Sequence, residues 1–63
     1  MDKKILTARL RQLLAVDKNA YDIYSELARL APEESLRLIF LGLAKEEKRH
    51  SALDEEMILL LEK

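Results

Sequence analysis

Leu30-Ala31-Pro32-Glu33-Glu34-Ser35-Leu36 is the stretch that decides the fold. It holds the only proline and the only turn-like cluster between long runs of Ala, Leu, Glu, Lys and Arg, all good helix formers. Proline is accepted at the first position of a helix, where no backbone N–H is needed, and the two glutamates after it complement the positive end of the helix dipole. One helix is therefore expected to stop near Leu30 and another to start near Pro32, giving helices over about 3–30 and 33–62. A connection this short makes the pair an antiparallel hairpin. The only glycine, Gly42, falls inside the second helix, where it is either tolerated or admits a close helix contact. No stretch reads as a strand and no repeat is visible, so residues 1–63 form a single all-α domain.

Moving outward from the turn, a 4-3 spacing of apolar residues runs along both segments. In the first it picks out Leu6, Leu10, Leu13, Asp17, Ala20, Tyr24, Leu27 and Ala31. In the second it picks out Leu36, Phe40, Leu43, Glu47, His50, Asp54, Met57 and Leu61. Such spacing marks the seam of packed, nearly antiparallel helices. Other apolar residues, including Leu14, Leu38, Leu41, Ile58 and Leu59, lie off these seams and suggest a second buried surface and assembly beyond a dimer.

The seams are apolar except at their middle, where Asp17 interrupts the first and Glu47, His50 and Asp54 interrupt the second. A buried carboxylate is costly unless it is paired or bound to a metal. Asp17 lies fifteen residues before Pro32 and Glu47 fifteen after it, so both sit ~22 Å from the turn and meet at one level. His50, three residues beyond Glu47, shares its face.

The chain's size gives this cluster a context. At 63 residues the chain buries only ~60% of its unfolded surface and is marginal alone. It has no cysteine, which excludes disulfides, thiolate metal sites and a cysteine nucleophile; yet 49% of its residues are hydrophobic. Self-association and a bound metal are the remaining ways to stabilise such a chain. Two hairpins related by a two-fold axis close a four-helix bundle and bury both seams. Two copies of Asp17 and Glu47 then carry four negative charges, which two divalent cations neutralise. Oxygen-rich ligation with one imidazole per metal suits iron or manganese, and zinc accepts the same ligands.

The total of 11 Lys and Arg against 12 Asp and Glu gives no basic surface for nucleic acid or anionic lipid. The longest apolar run, Met57 to Leu61, is far short of the ~20 residues that span a bilayer. Met1-Asp2-Lys3-Lys4 leads into a mixed segment and not a signal peptide, so a cytoplasmic protein is expected.

On these residues the chain resembles the ferritin-like, rubrerythrin-type di-iron carboxylate proteins. Their Glu-x-x-His element is matched by Glu47-Lys48-Arg49-His50. Their first-helix pattern, a ligand Glu seven residues before a Tyr followed by Leu-Ala, is matched by Asp17, Tyr24 and Leu27-Ala28. The likeness covers roughly residues 10 to 61. It implies a homodimeric four-helix bundle holding two irons per dimer on Asp17, Glu47 and His50. These would act in ferroxidase or peroxide-scavenging chemistry, with oxygen or peroxide as oxidant. Two departures stand out. Asp17 is one methylene shorter than the family's Glu, and the absence of cysteine removes the rubredoxin-like iron centre, so a peroxidase cycle needs an external electron donor.

Around this core, Asp54 and Glu46 are candidates for orienting the ligands, each with a solvated position as the alternative. Tyr24 and Tyr21 either stand near the metals, as the family's tyrosines do, or pack at the interface. The alternative function is a metal-free helical hairpin that dimerises and docks partners, its mid-seam charges fixing register. A Rop-type RNA-binding hairpin is a third, disfavoured by the balanced charge.

Overall fold

In the computed structural model, which describes residues 2–63, the chain is an antiparallel helical hairpin. Helix α1 spans Lys3–Leu30 and helix α2 spans Glu34–Glu62. The rod measures 47 × 14 × 13 Å. No helix among the described residues is long and apolar enough to cross a membrane.

Each end of the hairpin has a local cause. Asp2 caps α1, its carboxylate accepting from the Lys4 backbone N–H at 2.8 Å. At the other end Pro32 forces the residue before it out of the helical region, and Ala31 is extended at φ −63° and ψ 129°. The expectation that Pro32 opens the second helix needs correction. Glu33, extended at φ −124° and ψ 145°, is the N-cap, and Glu34 is the first helical residue. Pro32 ends α1, and Glu33 turns the chain into α2. Glu34 then sits in the first turn of α2, where its charge complements the dipole, and pairs with Arg37. Gly42 is tolerated and not a contact point, since an added Cβ would meet nothing within 4 Å.

The contact between the helices is rotated from the seam that the sequence predicts. The buried apolar residues are Ala28, Ala44 and Ile58, and Ser51 is buried with them. Each lies one position after a predicted seam residue: Leu27, Leu43, Met57 and His50. Ala28, Ala44 and Ser51 are small, and Ile58, near the free ends, is the large apolar side chain buried with them. Ile58, expected on a second surface, is thus part of the hairpin's own core. Leu38, Leu41 and Leu59 are exposed. Phe40, Glu47, Asp54 and Leu61 belong to both the predicted seam and the observed contact, and none of them is exposed.

This rotation leaves a second stripe uncovered. Leu36, Leu43, His50 and Met57 stand beside the hairpin contact with Ile39, Leu53 and Leu60 further out, all of them exposed. Leu13, Val16, Ile23 and Leu30 do the same on α1. Because the helices run antiparallel, equal rotations from their mutual contact bring both stripes to one side of the hairpin. That side carries ten large apolar residues between 37% and 65% exposed. Two ion pairs tie the helices together at the rim, Arg11 with Glu62 and Lys18 with Glu55, but both are exposed and contribute little.

With so few buried apolar side chains, Ile58 is a sensitive probe of hairpin packing. Ile58→Ala is expected to cost about 2–5 kcal/mol by urea unfolding followed by circular dichroism. Leu59→Ala, on the exposed neighbour, is expected to change stability by under about 0.5 kcal/mol.

Candidate metal centre

At mid-height the two helices bring acidic groups together. One ligand atom from each of Asp17, Glu47 and His50 lies within 4.8 Å of the others. Asp17 comes from the middle of α1; Glu47 and His50 come from successive turns of α2, with His50 Nδ1 3.8 Å from Glu47 Oε1. The equal spacing of Asp17 and Glu47 from the turn produces this meeting, because rise per residue is the same in both helices.

Burial across the cluster is graded. Asp17 is 9% exposed and Asp54 3%, whereas the His50 side chain is 46% exposed and that of Glu47 19%. The site therefore begins inside the hairpin contact and opens, through His50, onto the uncovered apolar face. Three oxygens on one face of α2 are buried with no hydrogen-bond partner: Glu47 Oε2, Ser51 Oγ and Asp54 Oδ2. Buried polar atoms normally find partners, so these three oxygens add to the cost of the acidic cluster.

Asp54 corrects the expectation of a solvated end position. Its carboxyl faces Asp17, and a hydrogen bond between two carboxyls exists only when one of them holds a proton. That bond, burial and the negative charge of Asp17 push the Asp54 pKa up to about 6, with the charge of Glu47 in the same direction and that of His50 opposing. The cluster carries more acid than its protein cations offset, a condition that a bound cation relieves.

The remaining candidates separate. Tyr24 is half-buried on α1, one heptad beyond Asp17. Tyr21 lines an open groove with Lys18, Asp22, Lys48, Ser51, Ala52 and Glu55, a set that includes none of the three clustered ligands. Glu46 is exposed, and its contact within the chain is Arg49 at 3.4 Å. Ser51 is the one buried polar residue that the sequence reading passes over. Its signal is the heptad that it shares with Ala44 and Ile58.

The donor set fits a divalent cation. Two carboxylates and an imidazole offer oxygen and nitrogen atoms within 4.8 Å of one another, and Asp54 hydrogen-bonds to Asp17. A comparison with protein-family models, curated proteins and solved structures gives no match, so the likeness to rubrerythrin-type proteins rests on the quoted residues alone.

The raised pKa of Asp54 sets a pH dependence for the metal-free hairpin. The folded state holds this proton more tightly than the unfolded chain does. The associated stability is complete below pH ~4 and is lost as pH rises through about 6. Asp54→Asn, which keeps a donor towards Asp17 without the charge, is expected to raise the melting temperature at pH 7 and to flatten its dependence between pH 4 and 6. Thermal unfolding after chelation, followed by circular dichroism, measures both.

Proposed function

We propose that two hairpins assemble into a four-helix bundle whose centre binds two divalent metal ions, most suitably iron, for oxidoreductase chemistry of the ferroxidase or peroxide-scavenging kind. The convergence of Asp17, Glu47 and His50 at the border of an uncovered apolar face carries this reading. A second copy laid on that face covers its leucines and doubles the ligand set.

Each residue then has a role that its position supports. Glu47 and Asp17 would hold the ions through their carboxylates, and His50 would add a nitrogen ligand. Asp54 holds Asp17 in orientation, a task that matters because the shorter Asp17 side chain must approach its ion from a fixed direction. An iron pair held there would supply the electrons for reduction of oxygen or peroxide, itself passing from the ferrous to the ferric state. The protein's own contribution is four carboxylates from Asp17 and Glu47 that balance two divalent charges, in a site that only the assembled bundle closes.

The hairpin-only reading, in which the acidic cluster fixes register for a metal-free interaction module, draws on the same exposed face. It predicts a melting temperature indifferent to metal. Fe(II) added anaerobically is expected to bind at two ions per dimer, counted by elemental analysis after desalting. It should raise the melting temperature, and the Glu47→Ala, His50→Ala double variant should retain less than about a tenth of the metal, the scale of loss that follows removal of supporting groups at metal sites. Absence of uptake by the wild-type dimer rejects the metal reading in favour of the interaction module. A sedimentation measurement on the same samples, with Leu53→Lys as the expected monomer, checks the assembly.

A further inference from the structure

Ser51 is the buried polar residue that the metal reading leaves without a task. It is 8% exposed and shares the hairpin contact with Ala28, Ala44 and Ile58. The other small residues of that contact are alanines, which fill their space with no polar side-chain atom. Alanine is also the better helix former. The Ser51 hydroxyl is therefore a cost in a packing position, because a hydroxyl buried without a partner gives up its hydration for no bond in return.

Serine and threonine inside a helix often return the hydroxyl to the carbonyl one turn back. Thr7 does so in this chain, donating from Oγ1 to the Lys3 carbonyl at 2.8 Å. The Ser51 hydroxyl forms no such bond. It stands on the same face of α2 as the two other buried oxygens without partners, Glu47 Oε2 four residues before it and Asp54 Oδ2 three residues after it. Side chains at these spacings are neighbours on a helix, with Cβ atoms ~5–6 Å apart. One donor thus stands between two acceptors. Asp54 already has its hydrogen bond with Asp17. Glu47 has Oε1 3.8 Å from His50 Nδ1, on the side where the ligand atoms converge, and its Oε2 has nothing.

We propose that Ser51 is a positioning residue for the metal centre, its hydroxyl donating to Glu47 Oε2 so that the carboxylate is held with Oε1 towards the ion. A change of side-chain rotamer is enough to make this bond, since the two residues are one helical turn apart. Groups that hydrogen-bond a ligating carboxylate fix its orientation and strengthen its hold on a metal. The inference rests on the metal reading above, and it concerns one chain alone, because Glu47 and Ser51 belong to the same helix.

Ser51→Ala in the full chain separates this role from packing, because the two leave opposite signatures. Alanine removes an unpartnered buried hydroxyl from a contact that alanine already builds at two other positions. The metal-free variant is therefore expected to melt about 4–8 °C higher than wild type by circular dichroism. The same variant is expected to bind Co(II), used as a spectroscopic probe in place of iron, about 10–100-fold more weakly in titrations followed by visible absorption. Wild-type affinity in Ser51→Ala overturns the role of Ser51. A metal-free variant that melts lower than wild type assigns the hydroxyl to packing and overturns it as well. The Asp54→Asn background identifies the acceptor: a loss of affinity that disappears there shows that the hydroxyl serves Asp54, and overturns the assignment to Glu47. Wild-type protein that takes up no Co(II) rejects the centre, and this inference with it. Uptake by wild type beside an equally tight Ser51→Ala removes the inference and leaves the centre standing.

Discussion

The fold is organised around acid placed where acid is expensive. Asp17 and Asp54 face each other almost out of reach of water, Glu47 stands on the next turn, and only His50 opens towards solvent. Apolar residues at these positions would give the hairpin a continuous core. Instead three oxygens on one face of α2 lack partners, and Asp54 holds its proton to a pH well above the usual carboxylate range. A chain with so little buried apolar surface tolerates this cost only if something offsets it. In the proposed assembly a bound cation would offset it at that place.

The rotation of the hairpin contact places this acidic cluster at the border of the uncovered apolar face. A helix in a four-helix bundle has two neighbours and needs two apolar stripes roughly at right angles. The contact through Ala28, Ala44, Ser51 and Ile58 uses one stripe, and the face bearing Leu36, Leu43, Leu53 and Met57 is the other. Phe40, Glu47, Asp54 and Leu61 lie towards the border between the two. Asp17 meets Glu47 there, and His50 stands on the open side. In the proposed assembly the ligands would thus be central by geometry.

Much of the fold is legible before any coordinates. One proline in a helix-forming sequence places the turn, and the 4-3 spacing identifies two helices of nearly equal length. Equal distances from the turn bring Asp17 and Glu47 to one level. Finer features are not legible. That Pro32 closes α1 instead of opening α2 depends on the extended backbone that proline imposes on Ala31. That Asp54 is buried and Tyr21 lies in a groove apart from the cluster depends on which way each helix is rolled. Ser51 goes unnoticed because a lone serine in a helix carries no signal until its neighbours in the heptad are known to be buried.

The sequence by itself determined the two helices, the turn between them and the height at which acid meets acid. These follow from local backbone preferences and a constant rise per residue, which need no knowledge of packing. Only the tertiary structure decided the roll of each helix: that the small residues Ala28, Ala44 and Ser51 take the contact while leucines remain outside. The physical reason is that helices approach most closely where their side chains are smallest, so the tightest contact is set by Ala and Ser and not by the stripe richest in hydrophobic residues. That choice leaves His50 and a broad apolar face on one open side of the hairpin.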